Sequence, residues 1–398
     1  MRMPSSSSRR AHARIAAAGA LLAVAACSSG GRTESTEAVL PARSSLESAF
    51  ASAFTVGAAV NDNQFTGRDA RGAALISAQF NTITPENVLK WEHVHPRRGE
   101  YDFGPGDAYV DFGTKNGMTI IGHTLVWHSQ TPAWVFQDSA GKPLTRDALL
   151  AVMRDHIHTV VGRYKGRIKG WDVVNEALNE DGSLRRSPWQ RIIGDDYIVK
   201  AFEYAHEADP AAELYYNDYS LENAPKRDGA VRLIRQLQNA GVKVAAIGTQ
   251  SHVKMDWPSP AQFDSTINAF AATGVKVNVT ELDVDVLPRV TGGVSADVAL
   301  RGNATASANP WPTALPDSVQ TALARRYAEI FRVFVAHHDV IDRITFWGVG
   351  DADSWLNDWP VRGRTSYPLL FDRNDQPKPA FDSVMATARM LRATPITP

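Results

Sequence analysis

The sequence predicts an α/β fold, a single (β/α)8 or TIM barrel, on three observations. Eight β-rich apolar runs alternate with helical stretches between Leu46 and Met390. Strands that alternate with helices pair in parallel, and eight such units close into a barrel. Barrels often use a chain of about this length as one unit, and we find neither an internal repeat nor a second domain in the sequence.

The candidate strands are short apolar runs rich in β-branched residues, and most are followed by polar or turn residues. They cover 54–60, 80–85, 118–127, 168–176, 212–220, 244–252, 275–284 and 343–351. Amphipathic stretches of helical length lie at 145–166, 229–241, 259–274 and 317–338. Gly241 and Gly274 fit helix C-termini, whereas Ser259-Pro260 and Asp317 fit helix starts. An open doubly wound sheet is the alternative, but no Gly-rich phosphate-binding fingerprint follows the first strand.

The N-terminal region is expected to direct export. Basic residues precede the apolar run "IAAAGALLAVAA", which is short for a membrane span but suits a signal peptide. The run ends in "VAAC", which resembles a bacterial lipoprotein box with Cys27 as the acylated residue. We predict a signal peptide at 1–26, a flexible tether at 27–44 and the barrel domain at 45–395. The mature protein would be a bacterial lipoprotein in the periplasm or at the cell surface. Ordinary cleavage, a free thiol and secretion are the alternative.

The overall composition limits the possible partners. The formal net charge is -1 and 44% of the residues are hydrophobic, so no basic excess indicates nucleic acid or an anionic surface. The single cysteine excludes an intrachain disulfide and a Cys-based metal site. We expect a monomer that contacts the membrane through its lipid anchor alone.

Polar or aromatic side chains end almost every candidate strand, where a barrel places its active site. In chain order they are Glu86, Asn87 and Lys90; His123, Trp127, His128 and Gln130; Asn175 and Glu176; Asn217, Asp218 and Tyr219; Gln250 and His252; Glu281 and Asp283; Trp347 and Trp355.

Two acidic residues of this set follow apolar strand residues. An acidic side chain is usually solvated, and the chain has 43 of them. Glu176 follows Val173 and Val174, however, and Glu281 follows Val277 and Val279, so each must be paired, hydrogen-bonded or reactive. Two carboxyl groups in one pocket suit glycoside hydrolysis, in which one protonates the leaving oxygen while the other attacks the anomeric carbon. Different surroundings would separate their roles.

A metal hydrolase is the rival interpretation. Imidazoles and carboxylates hold divalent ions, and the sequence offers His93, His95, His123, His128 and His252. The first two fall in "WEHVHPRRGEYDF", which we interpret as a loop beyond the strand. We therefore expect no metal and no cofactor.

Seven segments together resemble glycoside hydrolase family 10, the endo-1,4-β-xylanases. They are "FNTITPENVLKW", "GHTLVWHSQTPAWV", "WDVVNEAL", "YYNDYS", "TQSH", "VTELDV" and "FWGVGDADSW", in the order of the family, and they cover nearly the whole chain after the tether. The resemblance implies that 45–395 is a glycoside hydrolase catalytic domain. It also implies a retaining double displacement that cleaves internal β-1,4-xylosidic bonds of xylan or xylo-oligosaccharides through a covalent glycosyl-enzyme intermediate.

The same resemblance implies a role for each strand-end residue. Glu176 would be the general acid/base and Glu281 the nucleophile, with Asn175 bound to the 2-hydroxyl of the sugar. His252 would hydrogen-bond Glu281 and keep it ionised, with support from Gln250. Glu86, Asn87 and Lys90 would bind the sugar two units upstream of the cut, His123, Trp127 and Gln130 would line the subsites next to it, and Trp347 and Trp355 would form the upstream roof and wall. Tyr219 would stack on the leaving side and Asn217 would support the site, with simple packing as the alternative for both. Asp283 would also support the site.

Other tryptophans and two departures from the family pattern complete the prediction. Trp91, Trp134, Trp171 and Trp189 are interpreted as core filling. Gly350 stands where threonine is expected, which would loosen the loop that holds Trp355. The segment 287–316 is longer than the minimal pattern, so it would overhang the active face and either reshape the downstream subsites or act as a lid.

Two other functions remain open at this point. A β-1,4-glucanase, or an enzyme of mixed specificity, would need an upstream pocket that admits the C5 hydroxymethyl group of glucose. A non-catalytic surface glycan-binding lipoprotein is disfavoured, because Glu176, Glu281 and Asn175 are all present.

Overall fold

The computed structural model describes residues 44–289 and 306–393. The chain divides into two units, Met1–Arg43 and Ser44–Pro398, and the second contains the whole described fold. The predicted signal peptide, Cys27, all of the tether except Ser44, and part of the segment 287–316 lie outside the described residues.

A closed barrel of parallel strands forms the centre of the fold and confirms the predicted class. The described strands are β1 Thr55–Val60, β2 Thr82–Pro85, β3 Thr119–Val126, β4 Gly170–Asn175, β5 Glu213–Asp218, β6 Ala246–Thr249, β7 His252–Lys254, β8 Lys276–Asp285 and β9 Ile341–Phe346. Neighbours pair in the order β6-β5-β4-β3-β2-β1-β9-β8-β7, and a further β6–β8 pairing closes the ring. The sixth barrel position is divided, since β6 and β7 both pair with β8.

Helices surround this barrel and alternate with its strands. They are α1 Leu46–Phe50, α2 Asp62–Phe65, α3 Ala70–Gln79, α4 Trp91–Val94, α5 Gly104–Lys115, α6 Arg146–Arg163, α7 Pro188–Ile193, α8 Tyr197–Ala208, α9 Ala224–Asn239, α10 Pro260–Ala271, α11 Asp317–Ala336, α12 Pro379–Thr387 and α13 Arg389–Ala393. Short 3-10 turns occur at Ala133–Val135, Ala306–Ala308 and Trp355–Asn357.

Each predicted element overlaps an observed one, but α9 begins at Ala224 rather than at 229, the strand predicted at 244–252 is divided into β6 and β7, and several helices were missed. The helix-ending glycines Gly241 and Gly274 both adopt positive φ, and the Ser259 side chain caps α10. The last strand begins at Ile341 rather than at 343 and ends at Phe346. Helix α5 escaped prediction because its first residues, Gly-Pro-Gly, are typical of a turn.

The main apolar core lies between the barrel and its helices. As predicted, Trp91, Trp171 and Trp189 are buried in it, and Trp134 packs against it half-buried. The Trp171 ring lies against Gly122 of the neighbouring strand, where an added Cβ would come within 2.1 Å of the ring. Within the described ranges, no helix is both long and apolar enough to span a bilayer.

The Gly122–Trp171 contact gives a stability prediction. Gly122→Ala should lower the free energy of unfolding by about 1–3 kcal/mol, because the buried ring must shift. Gly162→Ala is the matched control, since a Cβ there meets nothing within 4 Å and the residue lies in α6. It should be neutral or stabilise by up to about 1 kcal/mol. Urea unfolding measures both, and equal effects would contradict the packing argument.

Candidate active site

The strand ends on one side of the barrel share an unusual backbone conformation. Gln130, Glu176, Ser220 and Ser251 are non-glycine residues with φ of 44, 57, 52 and 57°, and they lie just beyond β3, β4, β5 and β6. Left-handed backbone of this kind costs about 1–3 kcal/mol per residue and concentrates at functional sites. These turns redirect the chain where it leaves the barrel.

Glu176 is buried, with 7% of its surface exposed, and both carboxylate oxygens accept hydrogen bonds. Oε2 accepts from Trp127 Nε1 at 2.9 Å. Oε1 accepts from Gln250 Nε2 at 3.0 Å and from Asn175 Nδ2 at 3.3 Å. All three donors are uncharged, and together they fix the orientation of the carboxyl group.

Glu281, 5% exposed, lies in β8 and has a charged partner. Its Oε1 accepts from Asn217 Nδ2 at 2.9 Å, and its Oε2 lies 3.1 Å from His252 Nε2. His252 Nδ1 is 2.9 Å from Asp283 Oδ2, which also accepts from Trp355 Nε1 at 2.8 Å. The carboxylate of Asp283 therefore orients the imidazole and the Trp355 indole together.

Burial disfavours the charged forms of His252 and Glu281, but the attraction between the two residues, with that of Asp283 for His252, outweighs this effect. Burial lowers the pKa of His252, yet Asp283 and Glu281 raise it to about 10. Burial likewise raises the pKa of Glu281, but the hydrogen bond and charge of His252, with His123 and Asn217, bring that pKa below its usual range. At neutral pH the pair is an imidazolium and a carboxylate.

Asn217 connects the two carboxylate environments. Its Nδ2 donates to both Glu281 Oε1 and Asn175 Oδ1, each at 2.9 Å, while its own Oδ1 accepts from Thr280 Oγ1 at 2.6 Å. Asn175 in turn contacts Glu176. The chain of amides links the residues that follow β4 with those of β8.

Gln250 is a correction to the sequence analysis. We expected it to support the His252–Glu281 pair, but its Nε2 contacts Glu176 and, at 3.4 Å, Asn175 Oδ1. The left-handed Ser251 separates β6 from β7, so Gln250 and His252 face different carboxylates.

The expected upstream residues form a polar wall beyond β2 and β3. Asn87 Oδ1 accepts from Lys90 Nζ at 3.2 Å and from Gln130 Nε2 at 3.3 Å. Lys90 also lies over the Trp127 ring, 5.0 Å from its centroid. Burial lowers the pKa of Lys90 although nearby glutamates oppose this, and burial raises the pKa of Glu86 to about 7 against the charge of Lys90.

The two tryptophans expected at the open face differ in exposure. Trp347 is only 9% exposed, because it packs edge-on against His123 and His252 at 5.6 and 6.3 Å between ring centroids. Trp355 is half-buried and stacks on Trp359 at 4.7 Å. Trp355 is therefore the more available surface for a sugar ring.

The loop that carries Trp355 is tied down despite Gly350. Ser354 Oγ accepts from Leu356 N, and Asp283 holds the indole. Gly350 itself packs closely, since an added Cβ would lie 2.9 Å from Asp375 Oδ1. A threonine would need space that Asp375 occupies here.

Tyr219 lies just beyond β5. Its hydroxyl accepts from Arg185 Nη2 at 2.8 Å, and Lys226 Nζ lies 3.2 Å from its ring centroid. The Lys226 side chain is fully buried and pairs with Asp218 at 3.0 Å. Two cations thus fix the orientation of this phenol ring.

The histidines considered as metal ligands are dispersed. His93 is not in a loop, because it lies in α4. His95 follows that helix in a bend and is buried against His156, with 3.2 Å between their Nδ1 atoms. The placement of His93 in a loop is an error of the sequence analysis, caused by the turn residues that follow. Across residues 44–289 and 306–393, no group of three or more His, Cys, Asp or Glu side chains is arranged to hold a metal ion.

Three contributors to the site were missed in the sequence. Asp172 lies within β4 and contacts His123 Nδ1 at 2.9 Å, Thr280 supports Asn217, and Arg185 reaches Glu176 from a loop. Asp172 had a detectable signal, because it is an acidic residue inside an apolar strand. The other two offered none.

Comparison with known proteins agrees with this geometry. The sequence model described as Glycosyl hydrolase family 10 matches residues 45–387. The chain belongs to this family. It is therefore a glycoside hydrolase, and the resemblance stated from the sequence is confirmed.

Relatives of family 10 cover most of this chain. Endo-1,4-beta-xylanase A of Xylanibacter ruminicola is 43% identical over 83% of this chain and 90% of its own. A solved family 10 endoxylanase from a sugarcane soil metagenome is 43% identical, covers 87% of this chain and 100% of its own, and has a TM-score of 0.83. An intracellular xylanase of Thermoanaerobacterium saccharolyticum, solved with xylotetraose, is 36% identical over 85% of this chain and 97% of its own, with a TM-score of 0.74.

The His252–Glu281 pair gives a titration prediction. His252→Asn removes the cation that lowers the pKa of Glu281, so that pKa should rise. Carbon NMR of glutamate labelled at the side-chain carboxyl group follows this titration directly. His158→Asn is the control, because His158 pairs with the distant Glu207. An unchanged Glu281 titration in His252→Asn would contradict the electrostatic account.

Proposed function

We propose that the protein is a retaining endo-1,4-β-xylanase that cleaves internal β-1,4 bonds of xylan or xylo-oligosaccharides. The observation that carries the proposal is the unlike environment of two buried glutamates in one site. Glu281 faces an imidazolium and has a lowered pKa, whereas Glu176 faces the neutral donors Trp127, Gln250 and Asn175. One carboxyl group is thus kept ionised for attack, and the other is positioned for proton transfer by uncharged contacts.

In the first step, the ionised Glu281 attacks the anomeric carbon. The bond from that carbon to the bridging oxygen breaks, and the proton of Glu176 passes to the departing oxygen. The product is a glycosyl ester of Glu281 and a free downstream sugar. Asn217 and His252 balance the changing charge on the Glu281 oxygens, because they donate to them.

In the second step, Glu176 acts as a base. It takes a proton from water, the water oxygen attacks the anomeric carbon, and Glu281 leaves as a carboxylate. Inversion at each step gives net retention. Asn175 Oδ1 accepts from Gln250, which also contacts Glu176, and from Asn217, which also contacts Glu281. Asn175 thus lies between the two acids, and this position suits a contact with the 2-hydroxyl of the reacting sugar.

The relatives support the proposed substrate and the choice of glutamates. Those reported above are named as xylanases or endoxylanases. The Thermoanaerobacterium saccharolyticum enzyme was solved with xylotetraose and with xylotriose after two different glutamates were replaced by alanine. Those two glutamates are separated along that chain by the same number of residues as Glu176 and Glu281.

Stereochemistry provides the direct test. Xylan is digested in an NMR tube, and the proton signals of the new reducing ends are recorded before mutarotation. The β-anomer should form first, because two inversions restore the original configuration. An initial α-anomer would exclude double displacement, and intact xylan would exclude the xylanase activity itself.

Replacement of each glutamate should have a distinct effect. Glu281→Ala should lower kcat roughly 10⁶-fold on every substrate, since the nucleophile is lost. Glu176→Ala should lower kcat/KM by about 10²–10⁴-fold on unactivated xylosides, but much less on aryl xylosides whose phenol leaves without a proton. Steady-state kinetics on both substrate types measures this. If Glu176→Ala lowered kcat/KM by the same factor on both substrate types, the role of Glu176 as the acid would be excluded.

We also propose that the protein is exported and anchored to a bacterial membrane through Cys27. The support is the apolar run that ends in "VAAC" and the position of the single cysteine as the last residue of that motif. In a bacterial host supplied with a clickable fatty acid, the wild-type chain should carry the label and sediment with membranes. Cys27→Ser should lose both properties. An exported wild-type chain without label would refute the anchor and leave ordinary secretion.

A further inference from the structure

The turn that carries Glu176 is closed into a small hairpin. Residues 176–185, called here the acid/base hairpin, leave β4 and return to it. Leu178 and Leu184 form an antiparallel bridge, and Asn179 N donates to Ser183 O at 2.8 Å. At the tip, Gly182 has φ 77° and lies so close to Pro225 O that an added Cβ would come within 2.2 Å of it. The hairpin therefore brings Arg185 back beside Glu176.

The N–H groups and the carbonyl groups of the hairpin base have separate partners. The N–H groups of residues 176–178 donate to β5, through Asn217 O, Tyr216 Oη and Asp218 Oδ2. The three carbonyl groups all accept from Arg185. Its Nε donates to Glu176 O at 3.0 Å, its backbone N to Ala177 O at 2.7 Å, and its Nη2 to Leu178 O at 3.2 Å.

We propose that Arg185 is a positioning residue for the acid/base, acting by holding the left-handed peptide of Glu176 in the orientation that presents its carboxyl group to the scissile bond. This inference rests on the proposed function. Glu176 is not glycine, so its conformation is unfavourable without support. The guanidinium is a planar fork that can hold two carbonyl groups and the Tyr219 hydroxyl at fixed angles.

The same contacts link both sides of the leaving-group region. Arg185 Nη2 donates to Tyr219 as well as to Leu178, so one side chain fixes the acid/base hairpin and the ring expected beneath the leaving sugar. When Arg185 is truncated, the Glu176 carbonyl loses its donor and turns toward water. The carboxyl group then shifts away from Trp127 and Gln250. A misplacement of about 1 Å can lower a rate about 10²-fold.

Leaving-group dependence separates positioning from a purely structural role. The variant is Arg185→Met, assayed as kcat/KM on a phenyl and a dinitrophenyl β-xylobioside, with thermal unfolding recorded in parallel. The phenyl substrate needs a proton from Glu176 and should lose about 10–100-fold, whereas the dinitrophenyl substrate should lose less than about threefold. Arg186→Met is the matched control, since the neighbouring Arg186 side chain is exposed, and it should behave as wild type.

Arg185→Lys tests the fork itself and guards against a misfolded methionine variant. Lysine keeps the charge but cannot hold two carbonyl groups in a plane, so it should show a smaller loss with the same leaving-group bias. Equal losses on both substrates, or no loss in either variant, would overturn the proposal. Glu176→Ala is measured alongside. If Glu176→Ala does not lose more activity on the phenyl than on the dinitrophenyl substrate, the proposed role of Glu176 is wrong. If Glu176→Ala shows this difference and the Arg185 variants do not, only the positioning role of Arg185 is wrong.

Discussion

Two carboxylates are buried in one site, and the charge of their hydrogen-bond donors differs. A buried carboxylate must find donors for its oxygens, and Glu176 and Glu281 both do so. The imidazolium of His252 stabilises the ionised form of Glu281, whereas the donors to Glu176 are uncharged. The same kind of side chain thus has two different sets of partners within one site, and the proposed division of labour follows from that asymmetry.

The barrel supplies those donors because its strands converge on one ring. Trp127 follows β3, Asn175 ends β4, Asn217 lies in β5, and Gln250 follows β6. Each of these four strands brings one of the donors to the site, and the packed core behind the strand fixes the direction of that donor. Short loops could not by themselves hold these donors within hydrogen-bond distance of two buried oxygens.

Much of this architecture could be predicted because it depends on local patterns. Apolar runs located the strands, and the interruption of such runs by Glu176 and Glu281 located the acids. What could not be predicted depends on backbone geometry or on distant partners. The partner of Gln250 is decided by the left-handed Ser251, the burial of Trp347 by two histidines from other strands, and the role of Arg185 by a hairpin that returns it to β4.

The divided sixth strand has a consequence for engineering. One short segment supplies a donor to each acid, Gln250 to Glu176 and His252 to Glu281. Any displacement of that segment would therefore disturb both acids, and with them both steps of the proposed double displacement. The two acids are more accessible to separate adjustment from the flanks, through Trp127, which donates to Glu176, and through Asp283, which contacts the His252 partner of Glu281.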